Sequence, residues 1–131
     1  MDFPAEIPFA RLLGFELQRF DGGEAEVACG VRSELCNSMG GAHGGVTMAL
    51  LDVAMVHAAR SPLKGEITPL RRCTTIEMKT AFMRPGKGRL LAKGKVLHRT
   101  SSIAFCEASV FDDEGHLTAH ATGTFKYLAQ S

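Results

Sequence analysis

Hydrophobic and polar positions change rhythm along this chain, and the changes mark its elements. Phe15 to Phe20 and Glu24 to Val31 read as two strands joined through Asp21-Gly22-Gly23, a strong hairpin-turn signal. Val46 to Ala59 is apolar on nearly every side, lacks Gly and Pro, and stops before Ser61-Pro62. A helix that is apolar all round is a buried one, and the length of the run argues against a strand. The second half returns to strands. Thr74 to Met83 alternates, with Ile76, Met78, Thr80 and Phe82 on one face and Thr75, Glu77 and Lys79 on the other. After the turn Pro85-Gly86-Lys87-Gly88 come Leu90 to Arg99, Ile103 to Phe111 and Thr118 to Leu128, the last two joined at Asp112-Asp113-Glu114-Gly115. Gly94 and Gly123 fall inside strands, where glycine permits a sheet to curve. A short apolar-periodic stretch, Ile7 to Leu13, precedes all of this and ends at Gly14.

The order is two strands, one buried helix, then four long strands. That list predicts an α+β fold, an antiparallel sheet of about six strands wrapped around one central helix, in a single domain over residues 1–131. One helix cannot cover such a sheet, so a second copy of the chain is expected against the remaining surface.

Composition narrows the function. The chain has 15 Lys and Arg against 14 Asp and Glu, a formal net charge of +1, with no basic block. Nucleic acid and anionic membrane surfaces are therefore not expected partners. No apolar stretch reaches the length of a membrane span. The first residues, Met1-Asp2-Phe3-Pro4-Ala5-Glu6, lack the basic-then-apolar order of a secretory signal. Cys29, Cys36, Cys73 and Cys106 are scattered without a C-x-x-C pair, so no metal or other cofactor is expected, and free thiols point to the cytoplasm.

The chemistry is concentrated in Asn37-Ser38-Met39-Gly40-Gly41-Ala42-His43-Gly44-Gly45 and the helix that follows, which carries Asp52. A carboxylate midway along an apolar helix is costly to bury and demands partners. Read alone, it is as readily a structural Asp as a catalytic one. Gly44 and Gly45 stand where a helix's first turn offers unpaired N–H groups and the positive end of its dipole, with no side chain to hold a carbonyl away. Such donors stabilise the oxyanion formed when a thioester is attacked. Gly44 and Asp52 are separated by about 12 Å along one helix at 1.5 Å per residue, more than a single carbonyl can span. If both serve one reaction, Asp52 comes from a second subunit, with two helices antiparallel across a two-fold axis.

The pattern Asn37-x5-His43-Gly44-Gly45-x6-Asp52, with Thr75 opening the next strand and Phe82-x-x-Pro85 closing it, resembles the hotdog-fold acyl-CoA thioesterases, and most closely their PaaI-like, phenylacetic-acid-pathway branch. The likeness extends to Pro8–Gly14 and to the Asp113-Glu114-Gly115 turn. It implies hydrolysis of aryl- or medium-chain acyl-CoA by a homodimer, and by a homotetramer formed of two such dimers. Asp52 would be the general base or the nucleophile, and the Gly44 N–H would polarise the carbonyl. Asn37 would position the carbonyl or the water, His43 would orient the loop, and Thr75 would hold the water near Asp52. Thr74 takes that last role if the strand register slips by one residue. Gly45, Arg84, Lys87 and Arg99 are candidates for substrate binding, the three cations for CoA phosphate by charge and position, though each also fits an ordinary solvated surface cation. Phe9, Leu12, Met39, Met48, Met55 and Met83 are candidates to shape the acyl pocket or simply to fill core. His57, His98, His116 and His120 have no constellation around them.

Hydrolysis needs an oriented water, a base and a polarised carbonyl, and no metal. No G-x-S-x-G marks a serine nucleophile. Two other readings stay open. An acyl-thioester dehydratase or hydratase would hydrate enoyl-CoA instead of releasing thiol. A non-catalytic acyl-CoA-binding module would bind without turnover.

Overall fold

The computed structural model describes residues 1–63 and 71–129. The chain runs α1 (Pro8–Leu13), β1 (Glu16–Asp21), β2 (Glu24–Gly30), a 3-10 turn (Ser33–Leu35), α2 (Gly44–Arg60), β3 (Cys73–Phe82), β4 (Arg89–Arg99), β5 (Ile103–Phe111) and β6 (Leu117–Tyr127). The strands form one six-stranded antiparallel sheet in the order β1-β2-β4-β5-β6-β3. α2 lies in its concave face. This is the α+β arrangement expected from the element order, and the hotdog fold that the resemblance implies.

The helix is held by shape as much as by apolarity. Leu50, Leu51 and Met55 meet Leu17, Val27, Leu90, Val110 and Phe125 in the core, all fully buried. The buried face of the sheet is rich in small residues, Ala92, Ala104, Ala108, Ala119 and Ala121. Gly94 is the extreme case: a Cβ there would sit 2.7 Å from Ala54 O, inside the helix backbone. A Cβ at Gly123 would lie 2.9 Å from the Phe125 ring and 3.2 Å from the Met55 methyl. The two glycines are therefore there for close approach, a more specific reason than sheet curvature.

Side chains cap both ends of α2. It begins at Gly44, two residues before the start of the apolar run, with His43 as its N-cap. At the other end, Ser61 Oγ donates to Ala58 O (2.9 Å), and Tyr127 Oη and Arg99 Nη2 both donate to Ala59 O (2.6 and 3.0 Å). These carbonyls have no partner inside the helix.

β3 departs from simple alternation. Its register on β6 shifts between Thr75 and Glu77, a bulge in which Ile76 is the extra residue. Thr75 pairs with the core residue Phe125, Met78 with Gly123, Thr80 with Ala121 and Phe82 with Ala119. Thr75 therefore shares the helix-facing side with Met78, Thr80 and Phe82, opposite to the side that alternation assigns it. Glu77 pairs with Thr124 on the outer face, where Thr124 Oγ1 donates to Glu77 Oε1 at 2.6 Å. β3 is also an edge strand, with Ile76 and Phe82 53% and 54% exposed in the single chain. An open edge strand of ten residues that carries exposed Ile76 and Phe82 is a surface a partner strand can cover.

Candidate functional site

The loop before α2 is built by its own side chains. Asn37 Oδ1 accepts from the N–H groups of Met39 (2.9 Å) and Gly41 (3.2 Å), and Asn37 N–H donates to Gly41 O (2.7 Å). Ala42 N–H then donates to Gly86 O (2.7 Å), tying the loop to the turn after β3. With its oxygen spent on the loop, Asn37 has its side-chain NH2 left as the group for a ligand.

His43 decides which helix N–H groups remain open. Its Nδ1 accepts from Gly45 N–H at 2.8 Å, so a neutral His43 carries its proton on Nε2. His43 is thus the N-cap of α2. It also corrects the expectation for Gly45, whose N–H is already used and does not reach outward. Gly44 N–H has no acceptor among the described residues. The Phe82 ring lies 3.4 Å from where a Gly44 Cβ would stand, so Phe82 backs the exposed peptide. Sequence reasoning gave Phe82 no role beyond its place in a pattern.

Asp52 projects from the side of α2 that the sheet does not cover, among the partly exposed Met48, Ala49, Val53 and Val56. Thr75 Oγ1 donates to Asp52 Oδ1 at 2.7 Å, which selects Thr75 over Thr74. Burial raises the Asp52 carboxyl above the ordinary aspartate range, and the Thr75 hydroxyl opposes that rise. Oδ2 remains for a proton or an electrophile.

Two half-sites result. A cleft of about 450 Å³ is lined by Asn37, Met39, Gly44, Phe82, Arg84 and Lys87 together with neighbouring residues, and it does not include Asp52 or Thr75. Gly44, the candidate for polarising a carbonyl, and two candidate phosphate ligands thus stand together, and the Asp52 carboxylate stands apart. Arg99 belongs to neither group. Its guanidinium donates to Ala59 O and Ser61 O (3.0 and 3.3 Å) at the C-terminal end of α2, which corrects its assignment beside Arg84 and Lys87. Of the acyl-pocket candidates, Met55 is fully buried core, whereas Met39 and Met83 line the cleft. No group of His, Cys, Asp and Glu suited to a metal occurs among the described residues.

Residues 39–119 match the model of the thioesterase superfamily. The medium/long-chain acyl-CoA thioesterase YigI of Escherichia coli K12 is 28% identical over 94% of this chain and 87% of its own length. A conserved protein of Pseudomonas aeruginosa superposes with a TM-score of 0.84 at 30% identity, covering 94% of this chain and 95% of that one. The PaaI protein of the E. coli phenylacetic acid degradation operon superposes with a TM-score of 0.83 at 22% identity, over 94% and 86% of the two chains, a likeness of fold.

Proposed function

The chain belongs to the thioesterase superfamily, and from that premise we propose that it hydrolyses acyl-CoA thioesters to free acid and CoA in a site shared between two subunits. The observation that carries the reading is the Asp52–Thr75 pair: a half-buried carboxylate on an otherwise apolar helix face, held by one hydroxyl and open on its other oxygen. The separate cleft that holds Gly44 supports the sharing. Two copies with antiparallel β3 edges would set Asp52 of one beside Gly44 of the other, and the exposed edge strand supports that pairing.

Gly44 N–H donates to the thioester oxygen and holds the negative charge that develops there. Asn37 Nδ2 steadies the carbonyl or the water. Asp52 Oδ2 takes a proton from the attacking water, or itself attacks to form an anhydride that water then opens. Either way the C–S bond breaks and CoA leaves as a thiolate, which is stable enough to need no metal. Medium or long acyl chains are the first substrates to consider, given the name of the E. coli relative; aryl groups come next.

Thiol release from a panel of aryl- and fatty acyl-CoAs, native protein against Asp52→Asn, tests this. The native protein turns over at least one of them, and the variant, still folded and dimeric, loses about 100-fold or more of kcat. Binding without release by the native protein would defeat the catalytic reading.

A further inference from the structure

Two threonines stand in the floor of the Gly44 cleft, and the hydroxyl of only one is engaged. Thr118 Oγ1 donates to Val110 O at 3.1 Å. Thr47 Oγ1 has no hydrogen-bond partner among the described residues, although Thr47 is only 5% exposed. A helical hydroxyl often turns back to a carbonyl of the preceding turn. Ser61 does so at the far end of α2, donating to Ala58 O at 2.9 Å, and Thr47 does not. A polar group out of contact with bulk water costs free energy until something completes its hydrogen bonds. Thr47 therefore marks the point on the cleft floor where a polar atom of a ligand is favoured.

Its placement says which atom. Thr47 follows Gly44 by three residues, so the two share a face of α2. Helical side chains lean toward the N-terminus, which tips Thr47 toward the Gly44 peptide, where no side chain intervenes. Gly44 is partly exposed and Thr47 is buried, so a ligand held at Gly44 meets the hydroxyl on its inward side. Around Thr47 the floor is closed and apolar: Ala42 is 8% exposed and Ala119 1%. The charged CoA arm of a thioester keeps to the open mouth, and the acyl arm takes this floor. Side-chain positions three apart on a helix are separated by about 5–6 Å, a gap that the stretch from C1 to C3 of an acyl chain spans.

We propose that Thr47 recognises an oxygen on C3 of the acyl group, so that medium-length 3-hydroxyacyl- and 3-oxoacyl-CoA are preferred over the plain acyl-CoA of the same length. The inference rests on the thioesterase reading above, with Gly44 holding the carbonyl, and names the substrate class within it. The threonine hydroxyl donates to either oxygen and also accepts from a 3-hydroxyl. A plain acyl chain leaves it unpaired, which sets that chain at a disadvantage.

The test compares kcat/KM for 3-hydroxyoctanoyl-CoA and octanoyl-CoA. The native protein favours the first, and Thr47→Val, which keeps the shape of the side chain, lowers that ratio about tenfold, the size of one hydrogen bond. Thr47→Ser restores it, which separates the role of the hydroxyl from that of packing. Equal rates on the two substrates in the native protein overturn the proposal and leave the thioesterase reading intact. So does a ratio that Thr47→Val leaves unmoved, or an equal loss on both substrates, which would put the hydroxyl on the carbonyl. Failure of the native protein to cleave either compound, or any other acyl-CoA of the panel, defeats the thioesterase reading itself.

Discussion

Replacing Thr75 by Val removes one hydroxyl and keeps the shape of the side chain. The hydroxyl donates to Asp52 Oδ1 at 2.7 Å, and Thr75 is the residue that opposes the rise of the Asp52 carboxyl caused by burial. A hydrogen bond to an ionised partner contributes about 1.5–3 kcal/mol. In a site that is still partly open to water the lower end applies, and each 1.4 kcal/mol is tenfold, so kcat should fall by roughly 10- to 30-fold. The pH profile adds a sign. Asp52 works ionised, so activity is lost as pH falls through its pKa. Without the hydroxyl that pKa moves further up, the acid limb shifts to higher pH, and the deficit against native protein widens on acidification. Thiol release followed across the acid limb measures both effects. Thr74→Val is the control, because Thr74 pairs with Lys126 on the outer face of the sheet. An unmoved acid limb in Thr75→Val, or a moved one in Thr74→Val, would refute the assignment.

Three further expectations concern stability. Gly94→Ala drives a methyl group into the Ala54 carbonyl, which cannot move without the helix, so unfolding in urea should show a loss of about 1–3 kcal/mol with little change in slope. His57 is buried against Phe3 and Phe20, and its Nδ1 donates to Val53 O at 2.7 Å, so burial lowers its pKa and the folded state keeps it neutral. The unfolded chain takes up that proton first; the stability His57 contributes is therefore present above an ordinary histidine pKa of about 6.5 and is lost as pH falls below it. His57→Met should flatten this acid decline in urea midpoints measured from about pH 8 to 5. His43→Ala removes the N-cap and should cost about 1 kcal/mol in thermal unfolding, and His43→Asn, a strong capping residue, should restore most of it.

The hydrophobic pattern makes the helix and all six strands legible, because apolarity all round and period-two alternation each have a single economical packing. It does not reveal the bulge. Ile76 is apolar whether it continues the alternation or interrupts it, so the pattern carries no mark of the extra residue that turns Thr75 inward. The Gly44–Asp52 spacing is legible as geometry, and Thr75 as one of two neighbours. His43 as a cap is hard to foresee, since Ser, Thr, Asp and Asn are the usual caps, and the loss of Gly45 N–H follows from it. Arg99 is read correctly as a strand end, but which end of α2 that strand reaches depends on packing and not on charge. Gly94 is visible as an anomaly whose cause, a helix backbone pressed against it, needs three dimensions.

The bulge in β3 also bears on how this stretch of sequence can vary. Thr75 and Phe82 must both face the helix, one to hold Asp52 and the other to back Gly44, and the chain between them contains a single residue out of phase. Most side chains on the outer face, such as Glu77, Lys79 and Ala81, could be exchanged with little consequence. Adding or deleting one residue between Glu77 and Phe82 would turn one of the two contacts to the far side of the sheet. Over these few positions, length is under tighter constraint than identity, and insertions or deletions should be lost from functional variants where substitutions survive.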